Sequence, residues 1–350
     1  MKKILGFFLV LVLAVAGWVV HLLWSAGQFK TIESHFSGTC RPVRGVVGAE
    51  DITIHPVTGV AYISACDRRA LRAGQNGRGG IYTYDLKADQ PVPVKLTSGP
   101  GPDFQPHGIS LFVDSGGRDA LFVINHSGGT HKIEIYDLRA DGLVHRETVA
   151  DPALVSPNDI VAVGRDSFYA SNDHRFTGGF LKTVEDYLKL PLANIVYYDG
   201  RGFTEAAAGI GYPNGINVSP DGRTLYVAGT TQMALKVFDR DLQSGGLTLK
   251  ETLAFDTGLD NIEVGPDGAL WIGAHPQLLK FVAHSKDAAR RSPSQVLRVR
   301  LNDDGQHQSD EIYLDRGEAL SGSSVGAVYQ SRLLIGSVFE EKILDCRLNP

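Results

Sequence analysis

One phrase recurs six times along this chain, and it restricts the folds open to it. The phrase is a polar or glycine lead, an alternating apolar strand, a Gly-containing turn and a second apolar strand. It reads EDITIHPVTGVAYISA from Glu50, PHGISLFVDSGGRDALFVINH from Pro106 and PNDIVAVGRDSFYASND from Pro157. It returns as PNGINVSPDGRTLYVAGT from Pro213, LDNIEVGPDGALWIGAH from Leu259 and SSVGAVYQSRLLIGSVF from Ser323. The first strand has the period-two pattern of a sheet (Ile52/Ile54, Ile160/Ala162, Ile216/Val218, Ile262/Val264). The PDG and PVTG turns suit hairpins. Further strands lie between the phrases: IYTYDL after Gly80, HKIEIYDL from His131, NIVYYD from Asn194 and ALKVFDRDL from Ala234. Each unit therefore holds about four strands, the content of a propeller blade. The expected fold is all-β, a six-bladed β-propeller. A solenoid would need capping units, and no segment reads as one. One stretch reads as helical, Leu181 to Leu190, and His284 to Pro293 reads as a solvated loop.

The first 27 residues form a separate module, with the propeller expected over 28–350. Lys2 and Lys3 precede an apolar run from Ile4 to Val20 that continues past His21 to Leu22, Leu23 and Trp24. At ~1.5 Å per residue this spans the ~30 Å hydrocarbon layer. Ser25-Ala26-Gly27 offers small residues for signal cleavage. The run is nonetheless longer than a usual signal core and ends in Trp24, a residue favoured at the membrane interface. A retained membrane anchor is the preferred reading, with the lysines cytoplasmic and the propeller periplasmic or extracellular. The three cysteines, Cys40, Cys66 and Cys346, leave one thiol over, and spacing alone does not fix the pairing. Export shifts the balance toward a Cys40–Cys346 bond. The net charge of −5, with no Lys/Arg run, argues against nucleic acid as a partner. The oligomeric state is left open.

In a propeller the first strand of each blade lines the central channel, so the residues leading into it are neighbours in space. Here they are Glu50-Asp51, His107-Gly108, Asn158-Asp159, Asn214-Gly215, Asp260-Asn261 and Ser323-Ser324. Turn preference accounts for some Asn and Asp, but not for Glu50 or for tandem polar pairs at equivalent positions. Glu50, Asp260, Asn158, Asn214 and Asn261 offer hard oxygens. Calcium accepts ~6–8 such ligands in irregular geometry, whereas magnesium keeps more water and zinc prefers His or Cys. Adjacent strand residues face opposite ways, so Asp51 and Asp159 are expected at a deeper place, such as a second ion.

At these residues the chain resembles the paraoxonase/arylesterase family. The resemblance runs from Cys40 to Cys346 and includes GAEDITIHP, PHGISLFV, VINH, SPNDIVAVG, ASNDHRF, PNGINVSPDG, LDNIEVGPDG, WIGAHP and LIGSVF. It implies a six-bladed propeller with two calcium ions and a disulfide joining the chain's ends. Carried over by motif, Glu50, Asn158, Asn214, Asp260 and Asn261 would hold a catalytic ion. Asp51, Asp159 and the carbonyl of Ile109 would hold a structural one. His107 and His126 would be the histidine pair beside the site. The segments Arg68–Gly80 and Arg175–Leu190 match least, so no substrate preference carries over.

The reaction expected is hydrolysis of a lactone or aryl ester, with calcium polarising the carbonyl. His107 would be the base with His126 as its relay partner, or else Asp260 would act as base or nucleophile. Asn172, Asp173 and His174 are read as Asx-turn residues at a strand end and left outside the catalytic set. His275 is an even choice between pocket and structure, Trp271 is assigned to the core, and His21 to the interface. A Ser-His-Asp hydrolase is disfavoured, because a propeller offers no strand-to-helix turn to hold a nucleophile elbow. The alternative to catalysis is a calcium-stabilised propeller that only binds a ligand or partner. A strictosidine-synthase-like condensing enzyme fits less well, given the fuller ligand set.

Overall fold

The computed structural model describes residues 2–77, 79–97, 99–101, 103–302 and 307–349. Its strands assemble into six antiparallel sheets around one axis, the ring that the repeat demands. Blades one to four are each built from four consecutive strands, beginning at Ala49–Ile54, Pro106–Phe112, Pro157–Ala162 and Pro213–Val218. Blade five begins at Gly258–Val264, and its outer edge gains the short strand His35–Phe36. The core fills the gaps between blades. Ile52 and Ile63 of blade one, for example, pack with Val325 and Leu334 of blade six.

Blade six closes the ring. Three strands come from the end of the chain (Ser323–Tyr329, Arg332–Ser337, Lys342–Leu348) and the outermost, Gly38–Arg44, from near its start. Cys40 and Cys346 are direct partners in that outer pairing, and a disulfide joins them. Cys66 remains a buried thiol. Beside the bond, Asp345 gathers Arg41, Arg332 and the Tyr84 hydroxyl, so an ion-pair cluster also ties blade six to blade one.

The inner strands carry one repeated irregularity. All six are bulged at their leading end, with register breaks at Ala49/Asp51, Pro106/Ile109, Pro157/Asp159, Pro213/Ile216, Leu259/Ile262 and Ser323/Val325. A bulge sets two residues against one and re-aims side chains. Strict alternation is thereby suspended where the tandem polar residues lie.

Helices cover one face. The expected helix is present as Gly179–Tyr187. Two more were not expected, Arg68–Arg72 and Leu278–Lys286. The second takes in the start of the segment read as a solvated loop: His284, in its last turn, is fully buried with its ring bonded to the Arg290 carbonyl at 2.8 Å, while residues 287–291 form the exposed loop expected. Before the propeller runs the helix Lys2–Ser25, whose segment Lys3–Ser25 is long and apolar enough to cross a membrane.

Because the disulfide closes a loop of 306 residues, chain entropy puts its contribution toward the upper part of the ~2–5 kcal/mol range. Cys346→Ser should lower unfolding stability by roughly 4 kcal/mol in urea titrations. Cys66→Ser, which breaks no cross-link, should cost less.

Candidate metal centre and active site

The bulged leads converge. Glu50 of blade one, Asn158 of blade three, Asn214 of blade four and Asp260 with Asn261 of blade five are all buried at the hub. Each presents one side-chain oxygen with no hydrogen-bond donor: Glu50 Oε2, Asn158 Oδ1, Asn214 Oδ1, Asp260 Oδ1 and Asn261 Oδ1. In four of the five the other polar atom of the side chain is engaged. Asn261 Nδ2 donates to Glu50 Oε1 at 2.9 Å, Asn158 Nδ2 donates to Asp173 Oδ2 at 3.2 Å, and His275 Nε2 lies 2.7 Å from Asp260 Oδ2. An orphaned buried carboxylate or amide oxygen costs about 1–3 kcal/mol or more. Five together at one hub are what a hard cation would satisfy, so the residues fit calcium. Among the described residues no group of three or more His, Cys, Asp and Glu is arranged to hold a metal. The donors mix carboxylates with amides, as an oxygen-seeking ion prefers.

Close approach of the strands requires glycine after two of these leads. A Cβ on Gly108 would lie 2.5 Å from Asp159 Oδ1, and one on Gly215 2.4 Å from the Asp260 carbonyl oxygen. Asp51 and Asp159 lace neighbouring blades. Asp51 accepts from the amides of Ile52 (2.8 Å) and Ile109 (2.7 Å), Asp159 from those of Ile160 and Ile216 (both 2.8 Å). Ile109 thus sits against Asp51, and each carboxylate oxygen keeps lone pairs free. Burial pushes Asp51 up to about 7, the amide bonds opposing, and raises Asp159 well above the carboxylate range with Asp51 repelling it. Burial likewise takes Glu50 up to about 8, against the pull of Arg68 and with repulsion from Asp51 and Asp260. So much buried carboxylate calls for positive charge, and a bound cation inverts these shifts.

His107 stands over this hub, Nε2 3.7 Å from Glu50 Oε1. Its Nδ1 lies 2.8 Å from Nε2 of His126. Burial holds His107 well below the usual imidazole range, and it takes His126 down to about 3 with His131 and Arg68 adding to the effect. Both rings are neutral at physiological pH.

The sequence reading passed over several residues at the same face. Asp173 does more than close an Asx turn. It binds the amide of Asn158, the hydroxyl of Ser156 at 2.5 Å and Nδ1 of His174 at 2.6 Å, and so orients a hub ligand. His174 reaches Asp186 of the helix Gly179–Tyr187 at 2.7 Å. His275 belongs to the pocket: it holds Asp260, and Phe281 stacks on its ring at 3.8 Å. His126, Asp173 and His275 all lie at or just beyond the end of a blade's second strand. Each pairs beside a bulged lead, and that register is the signal that marks them. Trp271 is in the core as expected.

Above the hub is a cavity of ≈ 420 Å³. Its floor carries Glu50, Asn158, Asn214, Asp260 and His107; one side of its wall is apolar, from Leu278, Leu279, Phe281, Val282 and Phe339, and the rest carries the charged Arg68, Arg72, Lys182, Asp186 and Lys189. The end of the N-terminal helix reaches its rim through Leu22 and Ala26.

The family model for arylesterase matches residues 31–348. The chain belongs to the arylesterase family. This arylesterase-family chain is 37% identical to serum paraoxonase/arylesterase 2 of Gallus gallus over 318 residues, 88% of each chain. It is 35% identical to human serum paraoxonase/arylesterase 1 over 319 residues, again 88% of each. The relatives make it a hydrolase. Among solved structures, regucalcin from Agrobacterium tumefaciens, a calcium-binding protein, shares the propeller fold with a TM-score of 0.53 at 17% identity, over 90% of this chain and 96% of that one.

His174 gives a pH test of the wall. Burial opposes its charge, but the hydrogen bonds it donates to Asp173 and Asp186 outweigh burial and the nearby Lys182 and push it up to about 9. A raised imidazole stabilises the fold fully below the unfolded value of ~6.5, and that stability is lost as pH rises through the folded value. The stability gap between wild type and His174→Gln, measured in urea, should therefore shrink from pH 6 to pH 9.5. The expected change is on the order of 1–2 kcal/mol after solvent screening. A pH-independent gap would contradict the pairing.

Proposed function

We propose that this chain is a calcium-dependent hydrolase of lactones and aryl esters. The observation that carries the reading is the ring of five orphaned oxygens beneath His107. Glu50, Asn158, Asn214, Asp260 and Asn261 would hold the catalytic ion, and Asp51, Asp159 and the Ile109 carbonyl a structural one. Calcium bound at the ring supplies a Lewis acid for the scissile carbonyl and for the negative charge that develops on its oxygen.

The protein's own groups do the rest. His107, neutral and facing the hub through Nε2, accepts a proton from the attacking water, and His126 at its Nδ1 fixes the tautomer. Asn158 keeps its oxygen aimed at the hub because Asp173 holds the amide nitrogen. Asp260 is the rival base, since His275 binds one carboxylate oxygen and leaves the other free of donors. The apolar side of the wall, Leu278, Leu279, Phe281, Val282 and Phe339, favours a neutral ester flanked by hydrocarbon and shields its acyl or alcohol chain from water. A small-molecule lactone or ester is the partner this cavity fits.

The N-terminal helix is read as an uncleaved anchor, with the propeller exported. Its end is built into the propeller: the Ala26 carbonyl accepts from Leu278 N at 3.1 Å, and Lys189 donates to the carbonyl and hydroxyl of Ser25 at 3.0 Å. A Cβ on Gly27 would lie 2.0 Å from the Pro276 oxygen. Cleavage among these residues would undo contacts at the pocket rim. The Cys40–Cys346 disulfide supports an oxidising compartment.

Chelation followed by a panel of lactones and aryl esters tests the reading. Turnover should vanish with calcium and return when it is restored. Asn214→Ala should lower kcat by about 10²-fold or more, the scale of losing one electrophilic contact, and weaken calcium binding in a chelator competition while circular dichroism stays native. Undiminished turnover after exhaustive chelation would sink the calcium mechanism. Calcium binding without turnover on any member of the panel would favour a binding platform.

A further inference from the structure

The histidine pair continues into a third ring. Beyond His126, its Nδ1 lies 2.7 Å from Nδ1 of His131. The rings of His107 and His126 are 5.0 Å apart at 69°, those of His126 and His131 4.8 Å apart at 90°. In such edge-on pairs a ring N–H can point at the next ring's nitrogen. The local chain is shaped for this: Ser127–Gly129 make a single tight turn in which Gly128 (φ 65°) and Gly129 (φ 69°) are left-handed, and the Thr130 hydroxyl donates to the Ser127 carbonyl at 3.1 Å. Left-handed backbone at two successive positions suits glycine and folds the chain back, bringing His131 against His126. All three rings are part-buried, and His131 is less enclosed by protein than His107 and His126.

We infer that His131 is the outer member of a proton relay that connects His107 to solvent, a role that rests on the proposed hydrolytic function of His107. Hydrolysis of a neutral ester at neutral pH gives a carboxylate, an alcohol and one proton. One hydrogen of the attacking water ends on the alcohol, but it is first held by the base, which must pass that charge outward while the tetrahedral intermediate lasts and recover a hydrogen when the alkoxide leaves. In the resting tautomers His107 Nδ1–H donates to His126 Nε2, His126 Nδ1–H donates to His131 Nδ1, and His131 carries its hydrogen on Nε2. When His107 Nε2 takes a proton from water, each ring passes one outward and His131 releases one from Nε2 to buffer. When the leaving alkoxide takes the hydrogen back from His107 Nε2, the shifts run in reverse and His131 reloads from buffer. The product acid then ionises, so one proton is released per turnover and every ring regains its starting state. His131 touches no reacting atom and is a positioning and exit residue.

The test is the lactonase rate of calcium-loaded His131→Ala, and of the less disruptive His131→Gln, in dilute buffer and with added imidazole. The expected result is kcat lowered about 10-fold in dilute buffer, a modest part of the 10²–10⁴ typical of general acid–base catalysis, with KM unchanged. Rising imidazole should return the rate toward wild type, and the wild-type rate should not respond. A kcat for both variants equal to wild type in dilute buffer, or a loss that imidazole leaves untouched, would overturn the relay. His107→Ala separates the two ideas. If that variant keeps its rate, the hydrolytic role of His107 has failed; if it is inactive while the His131 variants are normal, only the relay has.

Discussion

The structure turns on buried negative charge at its axis. Glu50, Asp51, Asp159 and Asp260 lie buried together at one hub, and their carboxylates repel one another through a medium with little water. The fold manages part of this by lending backbone amides to Asp51 and Asp159. It leaves Glu50 Oε2, Asp260 Oδ1 and three amide oxygens without donors. A hydrophobic core of this size would normally exclude such groups. Their presence is most simply understood as a site held ready for an oxygen-binding cation, with the stabilisation supplied on binding.

That arrangement also ranks the surrounding residues. Those that touch the hub, such as His275 on Asp260 and Asp173 on Asn158, restrict where the donor oxygens can point. Those farther out shape the space above. Arg69 of the helix Arg68–Arg72 binds the Phe339 and His284 carbonyls, and Arg72 binds that of Ser285, so two helices far apart in sequence form one rim. The chemistry and the selectivity of the pocket are therefore carried by different parts of the chain.

The ring and its hub were legible because their signals are local and repeated. Period-two strands, hairpin turns and polar leads recur at matching places, and a closed ring converts matching places into neighbours. The bulges were less visible, since no residue type announces them. The helix Leu278–Lys286 escaped because LLKFVAHSK is short and polar at its end. Its burial comes from the pocket it covers rather than from a regular apolar stripe. His131 was read only as the start of a strand. Nothing in SGGTH marks the ring contact with His126, which depends on two left-handed glycines. Asp173 was dismissed on turn statistics, although its position at the end of a second strand is the one His126 also occupies.

The closing strand pair has a consequence for how the molecule comes into being. Cys346 and its partner Cys40 lie 306 positions apart in the chain yet face each other in blade six. During synthesis blades one to five can form as they emerge, but the sixth waits until the strand Lys342–Leu348 has been made. A chain interrupted before that strand would leave a horseshoe in place of a ring, with the axial groups splayed.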